Sequence, residues 1–221
     1  ADMRVAGIDG TSSGWVAVVL QGGKVAAVRP FADFASAIEG LRDTRFIAID
    51  IPIGLPRTGP RQADVLARKR LGVRGSSVFT VPPRRVLEAA DYEAAKRIAA
   101  PGRKPSRQVF GIREKILQVN DSPLLDSRVF EVHPEVSFCE MAGEPLPSKK
   151  TWNGLWRRIH LLAREGIDLP KDFGEAADAR PDDVLDAAAA AWTALRKSAR
   201  RAGSLPDPPE TLAGRQVAIW F

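Results

Sequence analysis

Two aspartates follow apolar runs at widely separated places in the chain. Asp9 stands in the segment GIDGT and Asp50 in the segment AIDIP. A carboxylate at the end of a central strand is costly to desolvate unless something positive pairs with it. Ligands of α/β proteins bind beyond the carboxyl ends of the strands. We therefore expect both acids at one site if their strands are neighbours. For either acid alone, the alternative is a turn or helix cap.

A second group of acids lies near the C-terminal end of the chain. Asp183 and Asp186 are three residues apart in a predicted helix and share one of its faces. Acids at a helix N-terminus also gain ~0.3–1 kcal/mol from the helix dipole, so a structural role is the alternative. Asp186 precedes five alanines, residues 187–191, which would let this helix lie close against a sheet. That placement favours a functional role for Asp186.

The segment EVHPE contributes the remaining candidates. Alternation puts Glu131, His133 and Glu135 on one face if the strand persists through Pro134. Glu131 is the better metal candidate of the three. His133 is a candidate ligand or general acid/base, or else a histidine satisfied within the core.

These acids predict a metal site with oxygen ligands. The predicted catalytic residues are Asp9, Asp50, Glu131, Asp183 and Asp186, and all of them except Asp183 are predicted metal ligands. Carboxylates without a His/Cys set suit Mg²⁺ or Mn²⁺ rather than zinc. Two such ions ~3.5–4 Å apart can activate a water and stabilise the leaving oxygen in phosphodiester cleavage. We therefore expect a metal-dependent nuclease.

Hydrophobic periodicity predicts the elements that position these residues. The first part of the chain is predicted to form strands over 4–9, 15–20 and 24–29, a helix over 33–42 and a strand over 45–51. The segment 57–125 is rich in Arg, Pro and Gly, with helices expected near 61–71, 91–99 and 111–119. The remainder is predicted to form a strand over 128–133, helices over 151–165 and 181–200, a Pro-rich segment at 206–209 and a terminal strand over 216–221.

This order predicts an α/β protein of the ribonuclease H-like class. Its mixed sheet would have three antiparallel strands followed by parallel strands, with helices on its faces. We expect residues 1–221 to form a single domain, in which about 57–125 is a large helical insertion or cap between the fourth and fifth strands. The length of 221 residues suits one core better than two.

Composition limits the class of protein further. The chain carries a net charge of +6, which favours nucleic acid as a partner, although an arginine-rich genome would produce the same excess. Cys139 is the only cysteine, so neither an intramolecular disulfide nor a multi-cysteine zinc site is expected. The chain has no membrane-spanning run and does not start with the apolar core of a signal peptide. These features predict a cytoplasmic protein with no membrane association and leave its oligomeric state open.

The combined motifs resemble the predicted ribonuclease H-like nuclease family classed as domain of unknown function 429. The similarity runs almost end to end and rests on ordered short motifs: Gly7–Gly10 with Gly14-Trp15, Ile49–Pro56, Arg61, Asp64, Arg68, Leu71-Gly72, Arg74, Ser77–Phe79, Pro82, Gln108, Lys115, Glu131–Phe138, Ser148–Thr151 and Asp182–Ala188. The resemblance implies that Asp9, Asp50 and Asp183 or Asp186 are metal carboxylates. Acids are common in the family where this chain has Gln118 and Asn120, so no role is assigned to those two residues.

Basic residues in these motifs are candidates for ligand binding. We expect Arg61, Arg68, Arg74, His133 and Lys149 to bind substrate, either the phosphates of DNA or RNA or one small phosphorylated or carboxylated ligand. Surface ion pairs are the alternative for each cation.

Two other functions are compatible with the sequence. The segment DGTSSG, residues 9–14, looks like the first phosphate loop of actin-like sugar kinases, in which backbone amides cradle phosphate. Those enzymes need two related domains, and no second loop of this kind occurs here. The other reading is a non-catalytic protein that binds nucleic acid or an acidic partner without metal chemistry.

Overall fold

A mixed sheet forms the centre of the computed structural model, which describes residues 3–221. Its strands are β1 (Arg4–Gly10), β2 (Trp15–Gln21), β3 (Lys24–Phe31), β4 (Phe46–Ile49) and β5 (Val129–Glu131). They lie in the order β3-β2-β1-β4-β5. Strand β2 is antiparallel to both β1 and β3, whereas β4 and β5 run parallel to β1. The predicted mixed α/β sheet, antiparallel and then parallel, is confirmed.

The apolar runs explain which strands lie in the middle. Strands β1, β2 and β4 are buried along most of their length, because helices cover both faces of the sheet. Strand β3 forms one edge, and its residues are exposed or only partly buried.

Helices surround the sheet. They are α1 (Phe34–Gly40), α2 (Gln62–Leu71), α3 (Arg84–Leu87), α4 (Tyr92–Ile98), α5 (Arg107–Gly111), α6 (Arg113–Asp121), α7 (Pro134–Ala142), α8 (Trp152–Arg164) and α9 (Pro181–Ser198). Helix α9 packs with α7 and α8 on one face, and α1 and α6 contribute to the core on the other. Five helices, α2 to α6, occupy the chain between β4 and β5, where helices were expected.

Helix α7 and strand β6 were not predicted, and neither were the short helices α3 and α5. Helix α7 begins at Pro134, because proline at the first helical position has a suitable φ and lacks an N–H that would be unpaired anyway. The strand expected over 128–133 therefore ends at Glu131. The Pro-rich segment 206–209 lies inside a strand, β6 (Ser204–Leu212), which pairs with β7 (Arg215–Trp220). Its prolines fall in an interruption of the ladder between Leu205 and Glu210, where no N–H is needed.

The helices are too short or too polar to serve as membrane spans anywhere in the range 3–221.

Candidate active site

The parallel pairing of β1 with β4 places two acids side by side. Ile8 is opposite Ile49 in the register, and the Asp50 N–H donates to the Ile8 carbonyl at 2.9 Å. The next residues along the two strands are Asp9 and Asp50, so both carboxylates leave the same edge of the sheet. The expected convergence of these acids is confirmed.

Helix α9 brings the third acid to this edge. It crosses β1 so closely that a Cβ at Gly7 would clash with the carbonyl of Ala187 and the amide of Ala191. The alanines after Asp186 thus allow the close approach that the sequence predicted. The same approach holds Asp186 beside the ends of β1 and β4.

The three carboxylates form one compact cluster. Asp9, Asp50 and Asp186 each offer an oxygen, and these oxygens lie within 4.8 Å of one another. Asp9 is 8% exposed and Asp186 is 4% exposed. Burial raises the pKa of Asp9, and Asp50 and Asp186 raise it further. Burial likewise raises the pKa of Asp50 and of Asp186 to about 7, against the opposing effect of Lys149.

The ammonium of Lys149 faces this cluster. The Lys149 ammonium donates to Asp186 Oδ2, and Asp186, Asp9 and Asp50 raise the pKa of Lys149 against the effect of burial. The other oxygen, Asp186 Oδ1, is buried and has no hydrogen-bond partner among residues 3–221. With all groups ionised, three carboxylates and one ammonium leave two negative charges at the cluster.

Glu131 lies in a different cluster from these acids. Its carboxylate makes two 2.7 Å hydrogen bonds with the Arg61 guanidinium and accepts a third from the Ile53 N–H, also at 2.7 Å. Arg61 also bonds Asp64 and is only 1% exposed. Glu131 was expected to bind metal and Arg61 to bind substrate, but the structure gives both to an ion-pair network that holds the chain after β4.

The segment EVHPE does not present its three polar residues on one strand face, because α7 starts within it. Glu135 is bound at both oxygens by Arg158, at 2.8 and 2.7 Å. His133 Nε2 lies 3.3 Å from the Ser77 carbonyl, and burial lowers the pKa of His133. His133 is therefore a neutral ring that lines the site.

Of the other predicted residues, some line the site and others hold neighbouring segments of the chain in place. Arg74 and Lys149 line the cleft above the acids. Arg68 donates to the Val78 carbonyl and so holds the loop that follows α2. Asp183 lies in the first turn of α9, outside the cluster of three, and burial raises its pKa.

A cleft of about 400 Å³ opens over the acids. Its walls include Gln108, Lys115 and Lys150, which periodicity alone did not single out. Lys115 packs over Gly10, where an added Cβ would lie 3.2 Å from its Cδ, and its ammonium is 5.3 Å from the centre of the Trp15 ring. The family motifs were the only sequence signal for Lys115, because α6 and β1 are far apart in the chain and only the fold brings them together.

Two backbone amides of the segment 9–14 are hydrogen-bonded within the turn and so are not free to bind phosphate. The Gly10 N–H donates to Asp9 Oδ1 at 2.7 Å, and the Thr11 N–H donates to the Gly14 carbonyl at 2.9 Å. These bonds belong to the turn between β1 and β2, which weighs against the kinase-like reading.

A family model described as "Protein of unknown function (DUF429)" matches residues 7–211. The chain belongs to this family. No curated protein and no solved structure matches the chain. The matched range contains Asp9, Asp50, Asp186 and Lys149, so the whole acid cluster lies within it.

Gln118 and Asn120, to which the sequence assigned no role, hold groups near the site. Asn120 donates to the Pro52 carbonyl and accepts from the Gly54 N–H, both at 2.8 Å. Gln118 accepts from the Trp15 indole at 3.4 Å. Both residues therefore fix backbone or core groups next to the acids.

Proposed function

We propose that this DUF429 chain is a metal-dependent phosphodiesterase that cleaves nucleic acid, built on a ribonuclease H-like fold. The observation that carries the proposal is the convergence of Asp9, Asp50 and Asp186 from three elements, with oxygens within 4.8 Å of one another. Burying three ionised carboxylates close together is unfavourable unless cations neutralise them.

The donor set fits Mg²⁺ or Mn²⁺. Hard divalent ions prefer oxygen ligands, and all three candidate ligands are carboxylates. The two uncompensated negative charges equal the charge of one such ion. Asp186 Oδ1, buried without a partner in the described chain, is available as a ligand atom.

The cleft supplies the groups that a phosphodiester would need. A divalent ion would lower the pKa of a bound water and stabilise the leaving oxygen. Arg74, Lys115 and Lys150 line the cleft and would bind phosphate oxygens. Lys149 would orient Asp186 and neutralise charge beside it.

The topology supports the fold assignment. The order β3-β2-β1-β4-β5, with three antiparallel strands and then parallel ones, is the order expected of a ribonuclease H-like sheet. Helix α9 carries its acid across β1, to the strand that holds Asp9.

Calorimetric titration with Mn²⁺ tests the metal site directly. We expect the wild type to bind Mn²⁺ and the Asp9→Asn/Asp50→Asn variant to lose binding. Asp182→Asn is the matched control, because Asp182 begins the same helix but lies outside the cluster.

Hydrolysis tests the reaction. With Mn²⁺, we expect the wild type to cleave DNA or RNA oligonucleotides, and Asp50→Asn to reduce the rate by about 100-fold or more. Absence of both metal binding and cleavage in the wild type would favour the non-catalytic reading.

A further inference from the structure

Two tryptophans of α8 are exposed to solvent. Trp152 is 72% exposed and Trp156 is 55% exposed, and they are one turn apart on the helix. Their rings are stacked, with centroids 5.8 Å apart and planes 8° apart. The core-facing side of α8 is formed by other residues, among them Leu161 and Leu162. The two indoles therefore contribute little to the core and present a flat aromatic surface.

The stretch of chain that carries this surface is basic. Residues 145–164 contain no Asp or Glu but include five cations: Lys149, Lys150, Arg157, Arg158 and Arg164. Arg158 is paired with Glu135 and Arg157 with Glu144. Within the described residues 3–221, no ion pair involves Lys150 or Arg164. The two unpaired cations make the surface complementary to a polyanion.

The aromatic surface follows the wall of the candidate active site directly along the chain. Ser148, Lys149 and Lys150 line the cleft, and Thr151 caps the N-terminus of α8. Trp152 is two residues beyond Lys150, so their Cα atoms are at most about 7.6 Å apart. A strand that leaves the cleft over Lys150 would reach the indoles within a short distance.

We propose that Trp152 and Trp156 bind the unpaired bases of a single-stranded nucleic acid whose backbone passes over Lys150 into the cleft. Aromatic side chains stack on any base, whereas bases within a duplex have their faces covered by their neighbours. The position of the indoles next to a cleft lined by Arg74, Lys115 and Lys150 favours this occupant over a lipid surface or a second copy of the chain. The proposal rests on the proposed function only for what happens in the cleft.

Binding of labelled oligothymidylate, followed by fluorescence anisotropy in EDTA, tests the proposal. An abasic oligomer of equal length carries the same charge but no bases. We expect the wild type to prefer the base-bearing oligomer by about 10- to 100-fold, and Trp152→Ala/Trp156→Ala to lose that preference. The conservative Trp152→Phe/Trp156→Phe variant should keep most of it, because phenylalanine still offers a ring. Equal affinities for the two oligomers in the wild type would overturn the proposal.

Two further measurements separate the alternatives. If the alanine variant keeps the wild-type preference but changes the sedimentation coefficient of the protein, the indoles form a contact between copies, and the proposal is wrong. Hydrolysis of a small chromogenic phosphodiester, which has no bases, tests the proposed function in the wild type alone. A preference for bases without such hydrolysis would support the single-strand site and contradict the phosphodiesterase.

Discussion

At the scale of single residues, charge balance dominates the acid cluster. Asp9, Asp50 and Asp186 share one ammonium, from Lys149. The buried acids therefore hold protons at a pH where exposed aspartates have lost them. A divalent ion would displace those protons, which couples metal binding to pH.

The first prediction concerns stability without metal. Because the pKa values of Asp50 and Asp186 are about 7 in the folded protein, against ~3.9 in an unfolded chain, the unfolded chain binds fewer protons between these values. These acids therefore lower the free energy of unfolding as pH rises through that window. We expect Asp50→Asn to be more stable than the wild type by about 1–2 kcal/mol near pH 8, and to differ little near pH 4.

Urea denaturation in EDTA at several pH values measures this difference. Asp182→Asn should show no comparable gain at high pH. A variant that is less stable than the wild type near pH 8 would contradict the charge balance described above.

A second residue-scale prediction concerns Lys149. Removing its ammonium leaves three carboxylates without their cation, so Lys149→Ala should bind Mn²⁺ about 10-fold more tightly. The same change should weaken binding of oligonucleotide phosphates, because the site loses a positive charge. Lys149→Arg is the control that keeps the charge. Parallel changes in both affinities, rather than opposite ones, would indicate a general structural defect.

At the scale of elements, close packing of α9 on β1 fixes the site. Gly7→Ala would insert a methyl group against the backbone of α9, and we expect a loss of about 3 kcal/mol or more in unfolding free energy. Gly111→Ala is the control, because no atom lies within 4 Å of its added Cβ. Thermal melts of the two variants measure the contrast, and similar melting temperatures would show that α9 shifts without cost.

The buried network around Arg61 provides another element-scale prediction. Arg61→Met would leave Glu131 and Asp64 buried without their cation, at an expected cost of about 3–5 kcal/mol near neutral pH. The loss should shrink at low pH, where the two acids can be protonated. Urea denaturation at two pH values tests this, and a loss independent of pH would argue against an electrostatic cause.

Sequence reasoning found most elements of the sheet because apolar runs report burial directly. The convergence of Asp9 and Asp50 was predictable, since neighbouring parallel strands end at one edge. The binding of Glu131 by Arg61 was not, because these residues are 70 positions apart and only the folded loops bring them together. Helix α7 was not predicted, because a proline after an apolar run can follow the end of a strand as readily as it begins a helix.

At the scale of the whole molecule, only some of the cations behind the net charge of +6 lie where they could contact a bound nucleic acid. Lys150 lies in the cleft wall, whereas Lys24 is the first residue of β3, paired with Gln21 and away from the C-terminal ends of β1 and β4. For single strands the logarithm of affinity falls with the logarithm of salt concentration by about 0.7 per phosphate contact. Lys150→Ala should therefore flatten this slope by about 0.7, and Lys24→Ala should leave it unchanged. Equal effects of the two variants would mean that binding is not confined to the cleft side.

The close contact of Gly7 with α9 has a consequence for how this protein can vary. All three acids are attached to two strands and a helix that are packed tightly against one another. By contrast, Arg74, Gln108 and Lys115 come from the chain between β4 and β5. Lys149 and Lys150 come from the chain between α7 and α8. The acids that would do the chemistry are therefore part of the core and should stay in place when the connecting segments change. The groups that would choose the ligand can be exchanged by recombination of two connecting segments, so laboratory grafts of those segments offer a route to new specificities on an unchanged reaction centre.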